Sequence, residues 1–228
     1  MRIVAPIATA LLAFAYAAAP ASPSRASSTA CGDRAYAYAG YAAAQRSHGV
    51  AAVITPLELP DVANGQVAAW IGVGGPGEGP HGEDEWLQAG ISGFSDHSAV
   101  YYEVARPGRA PQYAEVLSGL EPGERHRVAV VELRGRPSWW RVFVDRRPVT
   151  QPIFLPRSDG RWAPIVTAES WNGGAAVCNS FAYRFGRVAT ATGPGGVWTR
   201  FRSGHRFQDR GYEVVRVGSA SFLARDAS

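Results

Sequence analysis

From Gly49 to the C-terminus, apolar and polar residues alternate in short segments that are separated by Gly, Pro and Asp. Alternation with a period of two is the pattern of a β-strand that has one buried face. About eleven such segments follow one another at intervals near ten residues, which is typical of an antiparallel β-sandwich or barrel. They are Val50–Thr55, Gln66–Val73, Glu85–Ile91, Ala99–Ala105, Gln112–Leu117, Arg127–Leu133, Trp139–Asp145, Pro148–Leu155, Trp162–Glu169, Ser180–Thr190 and Tyr212–Ala224.

Outside the N-terminal segment, no apolar pattern with a helical period persists for three turns. One stretch, Tyr36–Gln45, is rich in Ala and Tyr and has the propensity to form a helix. Arg127–Leu133 and Trp139–Asp145 alternate clearly and are close in sequence, which predicts a long hairpin. Because the chain shows no internal repeat and no mid-chain linker, we predict one all-β domain, an antiparallel β-sandwich.

The N-terminal segment has the parts of a secretory signal peptide. Arg2 precedes an uncharged apolar run, Ile3–Ala19, and small residues that offer cleavage sites follow. The alternative is a transmembrane anchor, but an Ala-rich run of about 17 residues is near the lower limit for a membrane span. We therefore predict a cleaved signal peptide over residues 1–30 and a secreted single domain over residues 31–228, without membrane association after cleavage.

The mature chain contains two cysteines, Cys31 and Cys178. An even number of cysteines in an exported protein predicts a disulfide. The alternative is a pair of buried free thiols, since cysteine is often a core residue. Two distant cysteines supply too few ligands for a metal site.

Composition limits the classes of molecule that this protein is expected to bind. Aromatic residues make up 11% of the chain, which argues against a disordered protein. All 23 basic residues are Arg and the formal net charge is +4, but these arginines are dispersed rather than gathered in one basic stripe. We therefore predict no nucleic-acid partner, and we expect a monomer.

One acidic segment, His81–Glu85, places a His beside three carboxylates. Ca²⁺ needs about six to eight oxygen ligands, and this spacing matches no known calcium loop, so we interpret the segment as a solvated turn. The sequence therefore predicts no metal ion and no cofactor.

Several strands carry a Gln or a Glu among aromatic residues at positions where the fold has no evident need of a polar group. Because side chains alternate along a strand, the residues that share a face can be assigned from the sequence. The shared faces are Trp86 with Gln88, Tyr101 with Glu103, and Ile165 and Thr167 with Glu169 and Trp171.

Five stretches occur in the order, and with a spacing similar to that, of the glutamic endopeptidases, or eqolisins. They are Ala69–Gly75, Trp86–Ile91, Tyr102–Pro107, Pro122–Glu124 and Thr167–Trp171. The chain resembles this family from about Tyr38 to Thr190. The resemblance implies a secreted β-sandwich of the concanavalin A-like jelly-roll kind that hydrolyses peptide bonds without a cofactor.

The resemblance also implies roles for individual residues. Gln88 and Glu169 match the catalytic Gln–Glu dyad, and Trp70 and Glu103 match positions that line the substrate groove. Family members with strong activity in acid have acidic residues after the first Trp motif and after the Gln motif, where this chain has Gly74 or Gly75 and Ser92 or Gly93. A strongly acidic pH optimum is therefore not expected.

Such a dyad has a clear chemical logic. A carboxylate removes a proton from water, whose oxygen attacks the peptide carbonyl, and the resulting acid returns the proton to the leaving nitrogen. A Gln amide donates hydrogen bonds without titrating and can stabilise the oxyanion. In this interpretation, the Gln88 amide and the Glu169 carboxylate lie about 3–5 Å apart, with a water between them. Trp70, Trp86, Tyr101, Glu103 and Trp171 then contact an extended polypeptide substrate.

Two alternatives remain open, because jelly rolls host many functions. One is a glycoside hydrolase that uses Glu103 and Glu169 as its two carboxylates, about 5–9.5 Å apart, on a polysaccharide. The other is a secreted, non-catalytic, lectin-like module whose aromatic residues stack on a ligand.

Overall fold

The computed structural model describes Cys31 and residues 35–227. The predicted signal peptide lies outside the described residues. Within them, no helix is long and apolar enough to cross a membrane.

The described chain is built from β-strands, as the alternating pattern predicts. The first eight strands are β1 (Tyr36–Ala43), β2 (Gly49–Pro56), β3 (Gln66–Gly75), β4 (Glu85–Gly93), β5 (Ser98–Ala105), β6 (Gln112–Ser118), β7 (His126–Glu132) and β8 (Trp139–Val144). The remaining strands are β9 (Arg147–Pro148), β10 (Ile153–Phe154), β11 (Ile165–Trp171), β12 (Ala182–Ala191), β13 (Trp198–Arg200), β14 (Ser203–Gln208), β15 (Tyr212–Gly218) and β16 (Ser221–Asp226).

The strands form two sheets that pack as an antiparallel sandwich. One sheet has the strand order β14-β1-β11-β3-β4-β5-β6. The other has the order β10-β8-β7-β2-β12-β16-β15, with β13 and β9 attached to β12 and β8. The predicted all-β sandwich is confirmed, and so is the hairpin of β7 and β8.

The helix that composition allows for Tyr36–Gln45 is not formed, because most of this segment is the strand β1. This segment pairs with β11 on one side and with β14 on the other. Its alternate residues Ala37, Ala39 and Tyr41 are buried in the core. Burial between two partner strands outweighs the high helix propensity of Ala in this segment.

Two predicted strand boundaries are also corrected. Pro148–Leu155 forms only the two-residue strands β9 and β10, because proline cannot donate a hydrogen bond to a ladder. Tyr212–Ala224 divides into β15 and β16, which pair as a hairpin. The short strands β13 and β14 carry no clear alternation and are missed by sequence reasoning.

The core lies between the sheets, and the outer face of the seven-stranded sheet is left open to solvent. In β3 the core side consists of Val67, Ala69, Ile71 and Val73, all nearly inaccessible. The opposite side of the same strand presents Ala68, Trp70 and Gly72, and it is this side that carries the candidate site.

The predicted disulfide is present. Cys31 is bonded to Cys178 across 147 residues of sequence, and no free cysteine remains in the described chain. The bond ties the segment before β1 to the loop between β11 and β12.

Candidate active site

A groove of about 590 Å³ crosses the open face of the seven-stranded sheet. Its floor is formed by the central strands β1, β11, β3, β4 and β5. Among the residues that line it are Tyr36, Tyr38, Gln66, Trp70, Gly72, Pro76, Trp86, Gln88, Glu103, Ile165, Thr167, Glu169 and Phe207. The alternation predicted from the sequence therefore places Gln88, Glu103 and Glu169 on one face, in one concavity.

Two glycines on the groove face of the sheet have no side chains that would fill the groove. Gly72 lies between Ile165 of β11 and Gln88 of β4, and its missing side chain leaves space beside Gln88. Gly90 is a stricter case, because a Cβ there would lie 2.0 Å from the carbonyl oxygen of Ala69. The sheet can pack at Gly90 only with glycine, whereas a Cβ at Gly72 would crowd the side chain of Gln88 at 3.0 Å.

Glu169 is the most buried acid of the groove, with 8% of its surface exposed. It lies on β11, opposite Tyr38 of β1 and Ala68 of β3. Its Oε2 accepts a hydrogen bond of 2.9 Å from the indole nitrogen of Trp70. The carboxyl group is thus held in one orientation by a neighbouring strand.

This environment raises the pKa of Glu169 to about 7. The main cause is burial, which disfavours the charged form, and the negative charge of Glu103 adds to it. The hydrogen bond from Trp70 stabilises the carboxylate and opposes the increase. Near neutral pH the group is divided between its two forms, which suits a residue that both accepts and returns a proton.

Gln88 is held by the neighbouring strand β5. Its Nε2 donates to the hydroxyl of Tyr101 at 3.2 Å and to Oε2 of Glu103 at 3.3 Å. Burial raises the pKa of Glu103, and a hydrogen bond from Trp86 opposes the increase. Tyr101 is almost fully buried beneath Gln88. Any effect of Tyr101 on a substrate is therefore transmitted by the side-chain amide of Gln88, which donates to its hydroxyl.

The strand register sets how Gln88 and Glu169 face each other. Glu169 pairs with Ala68 of β3, and Gln88 pairs with Gly72 of the same strand. They are therefore four residues apart along the strands, about 13 Å, and two strand spacings apart across the sheet, about 10 Å. Trp70 lies between the two positions. The two side chains approach each other only by leaning over Trp70, and the separation of one water stays a prediction.

The predicted aromatic contacts divide into two groups. Trp70 and Trp86 line the groove directly. Trp171 lies beyond its end, where its ring stacks on Tyr36 with centroids 6.1 Å apart. Sequence reasoning missed Tyr36 and Tyr38, which stack on each other at 6.2 Å and extend the aromatic wall beside Glu169. Their alternation in β1 was the available signal.

A second polar cluster lies outside the groove and was also missed. His48 Nδ1 is 2.6 Å from Oε2 of Glu132 and 3.8 Å from Oδ1 of Asp159. The three ligand atoms lie within 4.8 Å of one another. The fully buried Glu132 also accepts backbone N–H bonds from Ser138 at 2.6 Å and Gly160 at 3.3 Å. These hydrogen bonds satisfy the buried carboxylate of Glu132. We call the pair of His48 and Glu132 the clamp.

The solved structures with a similar fold include two peptidases. No model of a known protein family matches this sequence, and no curated protein is similar to it in sequence. Scytalido-glutamic peptidase, solved with a transition state analog inhibitor, superposes with a TM-score of 0.55 at 13% identity, covering 84% of this chain and 98% of that chain. SCP-B, a member of the eqolisin family solved with the tripeptide Ala-Ile-His, gives 0.52 at 14% identity with the same coverage. The chain shares its fold with these two peptidases.

Proposed function

We propose that this protein is a secreted endopeptidase that hydrolyses extended polypeptides with Glu169 and Gln88. The observation that carries the proposal is the buried Glu169 carboxyl group, with its pKa near 7, in the groove that also presents the Gln88 amide. Two solved proteins with this fold hold a transition state analog inhibitor and a tripeptide, which supports a peptide as the ligand class.

Glu169 acts as general base and then as general acid. Its ionised form takes a proton from water, whose oxygen forms the new bond to the peptide carbonyl carbon. The carbonyl electrons move to the oxygen, and the tetrahedral oxyanion accepts a hydrogen bond from the Gln88 amide. When the C–N bond breaks, the protonated Glu169 returns the proton to the leaving nitrogen. No cofactor is needed for this balance.

The register fits this division of roles. Because Glu169 and Gln88 are offset by four residues along β3, we propose that a peptide group and its attacking water bind between them, over Trp70. In the free protein both hydrogens of the Gln88 amide nitrogen are directed to Tyr101 and Glu103. A bound substrate must therefore draw the amide away from one of these partners before it can stabilise an oxyanion.

The test is cleavage of a denatured protein between pH 4 and 8 by the wild type and by single variants. We expect Glu169→Gln to lose about 10²–10⁴ in rate, the usual contribution of a general acid–base group. We expect Gln88→Ala to lose about 10²–10³, as for other oxyanion donors. Glu58→Gln, at an exposed position, is the matched control. Full turnover by Glu169→Gln would reject the role.

Stability measurements make this result easy to interpret. Replacing a buried acid of raised pKa by its neutral isostere removes a cost of ionisation, so E169Q is expected to unfold at neutral pH no more easily than the wild type. A loss of activity in a variant of equal or greater stability is then chemical rather than structural.

A second function, glycoside hydrolysis, is favoured by one observation. Glu103 and Glu169 line the same groove, and the charge of Glu103 raises the pKa of Glu169. Two carboxyl groups that face a common space are the requirement for that reaction. In this case Glu103→Gln abolishes hydrolysis of a polysaccharide, and Gln88→Ala leaves it intact. A wild type that binds peptides but cleaves neither polymer would instead identify a binding module.

A further inference from the structure

A second concavity, of about 160 Å³, is lined by three arginines. Arg46 comes from the loop between β1 and β2, and Arg157 and Arg161 come from the segment between β10 and β11. Glu78 supplies the one carboxylate of the lining, and the charge of Glu83 also acts on Arg157, so three positive charges face two negative charges. We call this concavity the arginine pocket.

The guanidinium groups of the arginine pocket are largely free to bind a ligand. Among the residues that the structure describes, the ion pairs of arginine are confined to Arg225 with Glu213. Arg157 donates one hydrogen bond, to the carbonyl oxygen of Pro80 at 3.4 Å. Since each guanidinium carries five donors in a planar fork, most of these donors remain available for an oxyanion.

The backbone that carries these arginines is rigidly held. The amide of Ser47, next to Arg46, donates to the carbonyl of Trp162 at 3.0 Å and so joins the two loops. The clamp of His48 and Glu132 fixes the same loops a second time, through the amide of Gly160. A site that is organised before binding loses less entropy when its ligand arrives.

Arg157 itself adopts an unusual backbone conformation. Its φ of 61° lies in the left-handed region, which side chains other than Gly rarely occupy. Such a conformation costs about 1 kcal/mol or more and persists only where the surroundings enforce it. Here it accompanies the bond of Arg157 to Pro80 and directs the guanidinium to the pocket.

The arginine pocket lies close to one end of the groove. Pro76 lines the groove, and Glu78 of the same loop lines the pocket. Ile165, the first residue of β11, lines the groove, and Trp162, three residues before it in the preceding segment, lines the pocket. Three residues of chain span at most about 10 Å, so the pocket lies within about that distance of the groove end marked by Ile165.

We propose that the arginine pocket binds a carboxylate of the substrate, an acidic side chain or the C-terminal carboxylate of a peptide. This inference rests on the proposed peptidase function. Gln88 shares a row of the sheet with Ile165 but lies two strand spacings, about 10 Å, away from it. An extended peptide advances about 3.3 Å per residue, so the acidic group lies within about six residues of the position of Gln88. Paired N–H donors of Arg match the two oxygens of a carboxylate.

The first experiment measures cleavage of peptides in which a single Glu, or Gln in its place, is moved along an otherwise constant sequence. We expect Glu to lower KM about tenfold relative to Gln at one position, with kcat little changed, as for a charged contact remote from the reacting bond. The double variant R46A/R161A, with R46Q/R161Q as a milder form, should remove this preference. R210A, an exposed arginine elsewhere, should retain it.

The second experiment separates the pocket from the peptidase proposal by measuring equilibrium binding. Wild type and R46A/R161A are titrated with the Glu peptide, the Gln peptide and inorganic phosphate. Tighter binding of the Glu peptide, lost in the variant, supports the pocket even if no peptide is cleaved, a result that would reject only the peptidase. Equal binding of both peptides overturns the proposal. Binding of phosphate without a preference for the Glu peptide also overturns it, because the pocket would then be a site for free anions that does not recognise the substrate.

Discussion

Glu85 is expected to make the stability of this protein fall as the pH rises. It is the first residue of β4, is inaccessible to solvent, and lies on the core side of the strand together with Leu87. Neither carboxyl oxygen has a hydrogen-bond partner among the described residues. Burial therefore raises its pKa from 4.5 to about 7, and the nearby charge of Glu83 contributes.

The size of the effect follows from the change in pKa. Each pKa unit corresponds to about 1.4 kcal/mol, so a shift from 4.5 to about 7 is worth about 3 kcal/mol. The folded state holds its proton more tightly than the unfolded state, so the folded form is favoured most below pH 4.5. This advantage is lost between pH 4.5 and 7, and stability falls over that range.

The assay is urea unfolding of the wild type, Glu85→Gln and the control Glu83→Gln at several pH values from 4.5 to 8. We expect E85Q to match the wild type at pH 4.5 and to exceed its stability at pH 8 by about 3 kcal/mol. The half-buried Glu83 has its pKa lowered by the backbone N–H of His81, so E83Q should show no such gain. If E85Q and the wild type lose stability in parallel, the reasoning is refuted.

Glu169, with a similar pKa, adds a second and independent contribution to the same trend. Glu85 pairs with Gly75 of β3 and Glu169 pairs with Ala68, which places them seven residues apart along that strand, about 23 Å. Effects at such separated sites usually add. The variant E85Q/E169Q should therefore show the sum of the two gains at pH 8.

Three further predictions concern the site and its support. Trp70→Phe removes the hydrogen bond that the indole N–H donates to Glu169. The pKa of Glu169 should therefore rise by about one unit above the wild-type value, and the acid limb of the pH–rate profile should move to higher pH. Gly90→Ala should cost about 3 kcal/mol or more in urea unfolding, because the new Cβ would meet a backbone oxygen at 2.0 Å. Cys31→Ser with Cys178→Ser should lower the unfolding free energy by up to about 5 kcal/mol, the chain-entropy value for a loop of 147 residues.

The sequence predicts the faces of the strands well, because side-chain alternation depends only on the backbone. Trp86 with Gln88, and Tyr101 with Glu103, share a face in the structure as expected. The prediction fails where local signals are weak. Tyr favours strands but Ala favours helices, so the local signals of β1 conflict, and its pairing with β11 and β14 makes this segment a strand.

Contacts between distant segments could not be predicted from the sequence. The bond between Trp70 and Glu169 depends on β11 lying beside β3, although 99 residues separate them in the chain. The clamp of His48 and Glu132 spans 84 residues and gives no local pattern. Alternation shows which way a side chain points, but strand order and register decide what it meets.

The register also gives a decisive test of the position of the general base. Directly across Gly72 from Gln88, the residue on β11 is Ile165, and Glu169 lies four positions further along that strand. If the substrate spans the two rows as we propose, a carboxylate at position 165 is misplaced for attack. The variant E169Q/I165E should then remain as inactive as E169Q on the same denatured substrate. Recovery of activity would show that a carboxylate in the row of Gln88 can act as the base, and it would refute the proposal that the substrate must span the two rows.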